Sequence, residues 1–193
     1  EMDVQKFKSD VDFVVRIGGE GGEGVISCGE LFAQAAARTE YHVFTYITYP
    51  AEIRGGFSMI QIRVRDWTIY SMGGEVDYLV VFNQEAYDRT ISSLREGGMV
   101  IYDPDTVQTT GIPNAKFVPL RLTALTQGIS SSGLGKNVVA LGALGNLFDI
   151  EKPVLEKLIQ DRFQLKGSEM IEKNLRLLTA GYKEGENTDW DRR

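Results

Sequence analysis

Residues 17–24 read IGGEGGEG, five glycines in eight positions. They follow the apolar run DFVVRI (12–17) and precede VISCGELFAQAAAR (25–38), whose apolar residues recur at helical spacing. A buried strand that turns through glycines straight into a helix is the unit from which an α/β sheet is built. GEGGEG (19–24) also fits the G-x-G-x-x-G pattern. Backbone amides at a helix start attract anions, and missing side chains let a phosphate approach. Three uses for the loop stay open on this stretch alone: a dinucleotide, another phosphate-bearing ligand, or close packing of helix on strand. A dinucleotide would want an acidic residue at the end of the second strand. HVFTYITY (42–49) offers none, since Glu40 precedes it and Glu52 lies well past it. Glu20 and Glu23 would repel a phosphate unless they point outward.

The rest of the chain continues the alternation. FSMIQIRVRD (57–66) alternates as a strand, and WTIYSM (67–72) is expected to pair with it as a hairpin. YLVVF (78–82) is a central strand, NQEAYDRTISSLREGG (83–98) a helix stopped by Gly97-Gly98, and MVIYD (99–103) and KFVPL (116–120) further strands. Helices are expected at 120–129, 136–148, 151–163 and 168–183. The expected fold is a Rossmann-like, mainly parallel sheet with a β-hairpin insertion and C-terminal helices. Residues 1–183 read as one domain. Residues 184–193 read as a polar linker or tail, leading into a further domain.

Composition narrows the function. A net charge of −6 argues against a nucleic-acid partner, which needs a basic face. No apolar run approaches the roughly 20 residues that cross a bilayer, and no secretory leader is visible, so a cytoplasmic protein without a membrane partner is expected. Cys28 is the single cysteine, so an iron–sulfur cluster held by four thiolates within the chain is excluded.

A second loop, TYPAEIRGG (48–56), places Arg54 before Gly55 and Gly56. Its guanidinium suits a phosphate, and equally a salt bridge to Glu52 or to a partner. Cys28 reads as a small buried filler rather than a reactive thiolate, and His42 has no companion for a metal. Asp103 and Asp105 flank Pro104, where carboxylates fix turns. Trp67, Tyr70 and Met72 are an exposed patch for a partner or ordinary hairpin packing.

With both loops in view, the chain resembles the gamma subunit or domain of the 2-oxoacid:ferredoxin oxidoreductases. The likeness rests on RIGGEGGEGVISCGELFAQAA, TYITYPAEIRGGFSMIQIRV, DYLVVFNQEAYDR with GGMVIYD, NVVALGALG and EMIEKNLRLLTAGY, in that order. The family usually has Gln where this chain has Glu23, and IRGGFSMIQIR looks most like the version fused ahead of an alpha domain. The resemblance implies an enzyme that converts a 2-oxoacid, here leaning to 2-oxoglutarate, into acyl-CoA and CO2 while reducing ferredoxin. Thiamine pyrophosphate, magnesium and iron–sulfur clusters would lie in alpha and beta partner subunits or domains. The gamma domain would help hold coenzyme A. On that basis Gly19, Gly21, Gly22 and Gly24 would offer backbone to phosphate, Arg54 charge, and Gly55 and Gly56 close approach. Ser27 or Asn83 would add a hydrogen bond, with no catalytic residue or metal ligand in this chain. The alternatives are a stand-alone nucleotide-binding dehydrogenase or reductase, which lacks an evident proton-transfer group, and a scaffold without ligand.

Overall fold

The computed structural model describes residues 11–39, 41–49 and 55–190. Strands β1 (Asp12–Glu20), β2 (His42–Thr48), β3 (Phe57–Arg65), β4 (Val76–Val81), β5 (Leu94–Tyr102) and β6 (Lys116–Pro119) form one sheet in the order β2-β3-β1-β4-β5-β6. β3 runs antiparallel to both β1 and β2, while β1–β4, β4–β5 and β5–β6 pair in parallel. Five strands therefore share one direction and β3 opposes them, the mostly parallel α/β sheet expected. Pro119 is tolerated because β6 lies at the sheet edge, where a missing ladder donor costs little.

The helices are α1 (Val25–Ala37), α2 (Gln84–Thr90), α3 (Leu122–Gln127), α4 (Lys136–Leu147), α5 (Lys152–Phe163) and α6 (Ser168–Glu186). Strand alternation sends Val15, Ile17, Ile60, Ile62 and Val80 to one face, packed with Leu31 and Phe32 of α1, Val139 and Leu141 of α4, and Leu177 of α6. Val14, Leu79, Val81 and Val100 point to the other face, under Ala86 and Tyr87 of α2. Every residue from Val138 to Leu147 is buried, so α4 is a central rod rather than a surface helix. It meets α6 at a glycine contact. A Cβ on Gly181 would lie 1.9 Å from the Val139 carbonyl oxygen, and one on Gly142 would lie 2.2 Å from that of Leu178.

Three local expectations are corrected. Residues 67–72 form no strand, and β3 instead finds its hairpin partner in β2. The 67–72 segment is held over β3 by side chains: Gln61 Nε2 donates to the Met72 carbonyl at 2.8 Å and Arg63 Nη1 to that of Ser71 at 3.0 Å. The helix expected over 83–98 ends at Thr90, followed by a 3₁₀ turn at Ile91–Ser93, and β5 already begins at Leu94 opposite Val76. At the other end, α6 continues to Glu186. Trp190, in the stretch read as tail, is buried with its Nε1 3.4 Å from Asn146 Oδ1 of α4.

Candidate ligand site at the carboxyl edge of the sheet

Because β1, β4 and β5 are parallel, the segments that follow them emerge at one edge: the glycine loop, Asn83 and Asp103. β3 runs the other way, so its start, not its end, reaches the same edge. Gly55 and Gly56 are thus brought beside the glycine loop, where the Gly21 amide donates to the Gly56 carbonyl at 2.9 Å. Both glycines have positive φ, 74° and 78°, which only glycine adopts at little cost. Arg54 lies outside the described residues.

The glycines of the first loop do different work. Gly19 is buried inside β1, and a Cβ there would fall 2.7 Å from Val25 Cγ2 and 2.8 Å from Glu23 Oε2. Its role is close packing of strand, loop and helix. Gly22, at φ 103°, is exposed with nothing within 4 Å of its Cβ position. Gly24 is the N-cap of α1 in the left-handed region, and Asn137 of α4 packs against it, with Nδ2 2.5 Å from where a Cβ would be. The Gly21 and Glu23 amides are engaged, by Gly56 and by the Glu20 carbonyl at 3.1 Å. Among the described residues the amides of Gly22 and Gly24 meet no acceptor, and the first turn of α1 adds donors that no intrahelical carbonyl reaches. These are the groups an anion would find.

Neither polar side chain read from the sequence is idle. The Ser27 hydroxyl is 3.3 Å from Arg162 Nη2, which also contacts Glu30 at 3.1 Å, so Ser27 belongs to an α1–α5 contact. Asn83 caps α2, accepting from the Ala86 amide at 2.9 Å, and donates through Nδ2 to Glu23 Oε2 at 3.1 Å. Glu23 is the hub of the loop. The same Oε2 accepts the Glu20 amide at 2.7 Å, closing the turn as a capping carboxylate does. Its Oε1 lies 3.7 Å from Lys136 Nζ, and Lys136 lies 3.6 Å from Oδ2 of the fully buried Asp103. Asp103 is itself fixed, accepting from the Thr123 amide at 3.0 Å and the Thr123 hydroxyl through Oδ2, and from the Asp105 amide at 3.3 Å. At such distances two contacts gain about 4 kcal/mol each in an effective dielectric of about 20, much of it offset by desolvation.

The sequence did not single out Lys136 and Asn137. Their segment, GLGKNVV, reads locally as a turn entering a helix, and only tertiary packing sets it against Glu23 and Gly24.

Among the described residues there is no group of three or more His, Cys, Asp or Glu side chains able to hold a metal ion. Cys28 is buried, and burial pushes its thiol up to about 12. No helix among the described residues is long and apolar enough to cross a membrane.

The chain is similar to several known proteins. The 2-oxoglutarate synthase subunit KorC of Methanocaldococcus jannaschii is 33% identical over 174 residues, covering 88% of this chain and 91% of that subunit. The structure of 2-oxoglutarate:ferredoxin oxidoreductase from Magnetococcus marinus, with 2-oxoglutarate, coenzyme A and succinyl-CoA bound, matches 94% of this chain with a TM-score of 0.85 and 32% identity. This chain spans about a third of that one, 32%. The keto/oxoacid ferredoxin oxidoreductase gamma subunit of Geobacter sulfurreducens matches with a TM-score of 0.76 and 25% identity, covering 92% of this chain and 98% of that one. The family model described as pyruvate ferredoxin/flavodoxin oxidoreductase spans residues 14–184, and the chain belongs to that family.

Proposed function

We propose that this chain is the gamma component of a 2-oxoacid:ferredoxin oxidoreductase and that its carboxyl-edge loops help hold coenzyme A. The enzyme would decarboxylate a 2-oxoacid, by preference 2-oxoglutarate, to acyl-CoA and CO2 while ferredoxin is reduced. What carries this reading is the lacing of the two glycine loops, Gly21 N–H to the Gly56 carbonyl. It occurs in a chain similar along 94% of its length to a protein described with coenzyme A bound.

The pyrophosphate of coenzyme A suits the amides of Gly22 and Gly24 and the start of α1. Arg54, two residues before Gly56, would supply the charge that Glu20 and Glu23 lack. Gly19, Asn83 and Ser27 act one step back, by packing or by holding the loop and α1. No residue of this chain takes or gives a proton in the reaction. Thiamine pyrophosphate and the iron–sulfur clusters belong to alpha and beta partners, to which this chain docks and through which it serves ferredoxin.

The test is purification of the complex from native cells, followed by viologen reduction with 2-oxoglutarate, pyruvate and branched-chain oxoacids in turn, with and without coenzyme A. Thiamine-dependent reduction that requires coenzyme A is expected. Arg54→Ala in the complex should raise KM for coenzyme A by about tenfold or more, the loss of one charge-assisted hydrogen bond. An unchanged coenzyme A dependence in that variant removes the ligand role from the second loop.

A further inference from the structure

We infer that Lys136 is a positioning residue for the glycine loop, acting through Glu23; the inference rests on the coenzyme A reading of that loop. Glu23 has two structural duties, closing the turn on the Glu20 amide and tying the loop to Asn83. A carboxylate doing this beside an anion site brings a cost, because its charge repels the ligand that the loop would bind. Lys136 removes that cost. Its ammonium sits 3.7 Å from the Glu23 oxygen that the turn does not use, so it neutralises the charge without competing for the hydrogen bonds.

The placement of Lys136 is rigid. It opens α4, the buried rod, and its ammonium is also drawn to Asp103, which Thr123 and Asp105 hold in place. Four segments are thereby joined at one point: the loops after β1, β4 and β5 and the start of α4. A glutamine at position 23 would make the turn and the Asn83 contact with no charge to neutralise. Glu23 and Lys136 are therefore matched at the loop, while Asp103, the lysine's second partner, keeps its own donors from Thr123 and Asp105.

The test uses the assembled complex carrying Lys136→Met, Glu23→Gln or both. Lys136→Met should raise KM for coenzyme A about tenfold, equivalent to about 1.4 kcal/mol, with the larger effect on KM than on kcat. The double variant should recover most of that loss, since the loop's own charge is gone and Asp103 still accepts from Thr123 and Asp105. Amide hydrogen exchange at residues 20–24 reads the loop without any ligand: faster in Lys136→Met, near the parent rate in the double variant. A Lys136→Met complex with unchanged KM and unchanged exchange overturns the inference, as does a double variant no better than Lys136→Met alone. Should the parent complex prove independent of coenzyme A, the ligand reading fails, and the exchange pattern still decides whether Lys136 positions the loop.

Discussion

Gly181→Ala sets two effects of opposite sign against each other. In an isolated helix the change is favourable by about 1 kcal/mol, because alanine loses less backbone freedom than glycine on folding. In this fold the new methyl carbon would lie 1.9 Å from the Val139 carbonyl oxygen and 2.7 Å from its carbon. Both are backbone atoms that no rotamer change can move. Restoring ordinary contact requires α4 and α6 to separate by more than about 1 Å, which forfeits a quarter to a half of the dispersion energy along the interface. Overpacking of that kind costs about 3 kcal/mol at its upper range. The net expectation is a loss of about 2 kcal/mol, or a fall in Tm of about 4–8 °C for a chain of this size. Thermal and urea unfolding followed by circular dichroism would measure it. Gly74→Ala, with nothing within 4 Å of its Cβ position, is the companion, expected within about 0.5 kcal/mol of the parent. If Gly181→Ala is neutral or stabilising, the close crossing of α4 and α6 is wrong.

Two further expectations concern titrating groups. The Cys28 thiol, pushed up to about 12 by burial, should resist alkylation at pH 8 in the folded protein and react fully once unfolded. Its folded value exceeds the ordinary 9.0, so the stability it contributes is present below pH 9 and is lost as pH rises toward 12; Cys28→Ala should flatten that alkaline decline in urea midpoints. Asp12 is held below the ordinary 3.8, first by its hydrogen bond to Arg63 and then by the charges of Arg63 and Arg65. Its contribution is present above pH 3.8 and is lost as pH falls below that, so Asp12→Asn should lessen the acid sensitivity of β1–β3 pairing, read as the pH midpoint of acid unfolding.

The parts of the fold that the sequence revealed are those whose cause is local. The glycine loop announces a strand-to-helix turn because nothing else tolerates that backbone, and YLVVF announces a central strand because both its faces are apolar. Helix α6 carries its own periodicity, whereas α4 is apolar all round and is announced by the length of its apolar run after a glycine turn. The errors lie where distant residues decide. WTIYSM has strand composition, yet Gln61 and Arg63 capture its carbonyls with side chains, so no ladder forms. LREGG reads as the end of a helix, yet Leu94 already pairs with Val76 across the sheet. At the candidate site the backbone groups were legible from glycine spacing. The Glu23–Lys136–Asp103 cluster was not, because its members stand 113 and 33 residues from Lys136 along the chain. Asn83 and Ser27 were read as hydrogen-bond donors to a ligand; the partners they have within the chain, Glu23 and Ala86 for Asn83 and Arg162 for Ser27, are a property of packing.

The burial of Trp190 against Asn146 has a practical consequence. The chain has two tryptophans. Trp67 is 55% exposed with Arg65 stacked 3.8 Å from its ring centroid, while Trp190 is 6% exposed and packs against Asn146, near the far end of the helix that begins with Lys136. One indole should emit to the red and be quenched readily by acrylamide, the other to the blue and be shielded. Intrinsic fluorescence thus offers two separable reporters without labelling: one on the open face beyond β3, the other on the seating of α4, and so on any event at the glycine loop that shifts the rod.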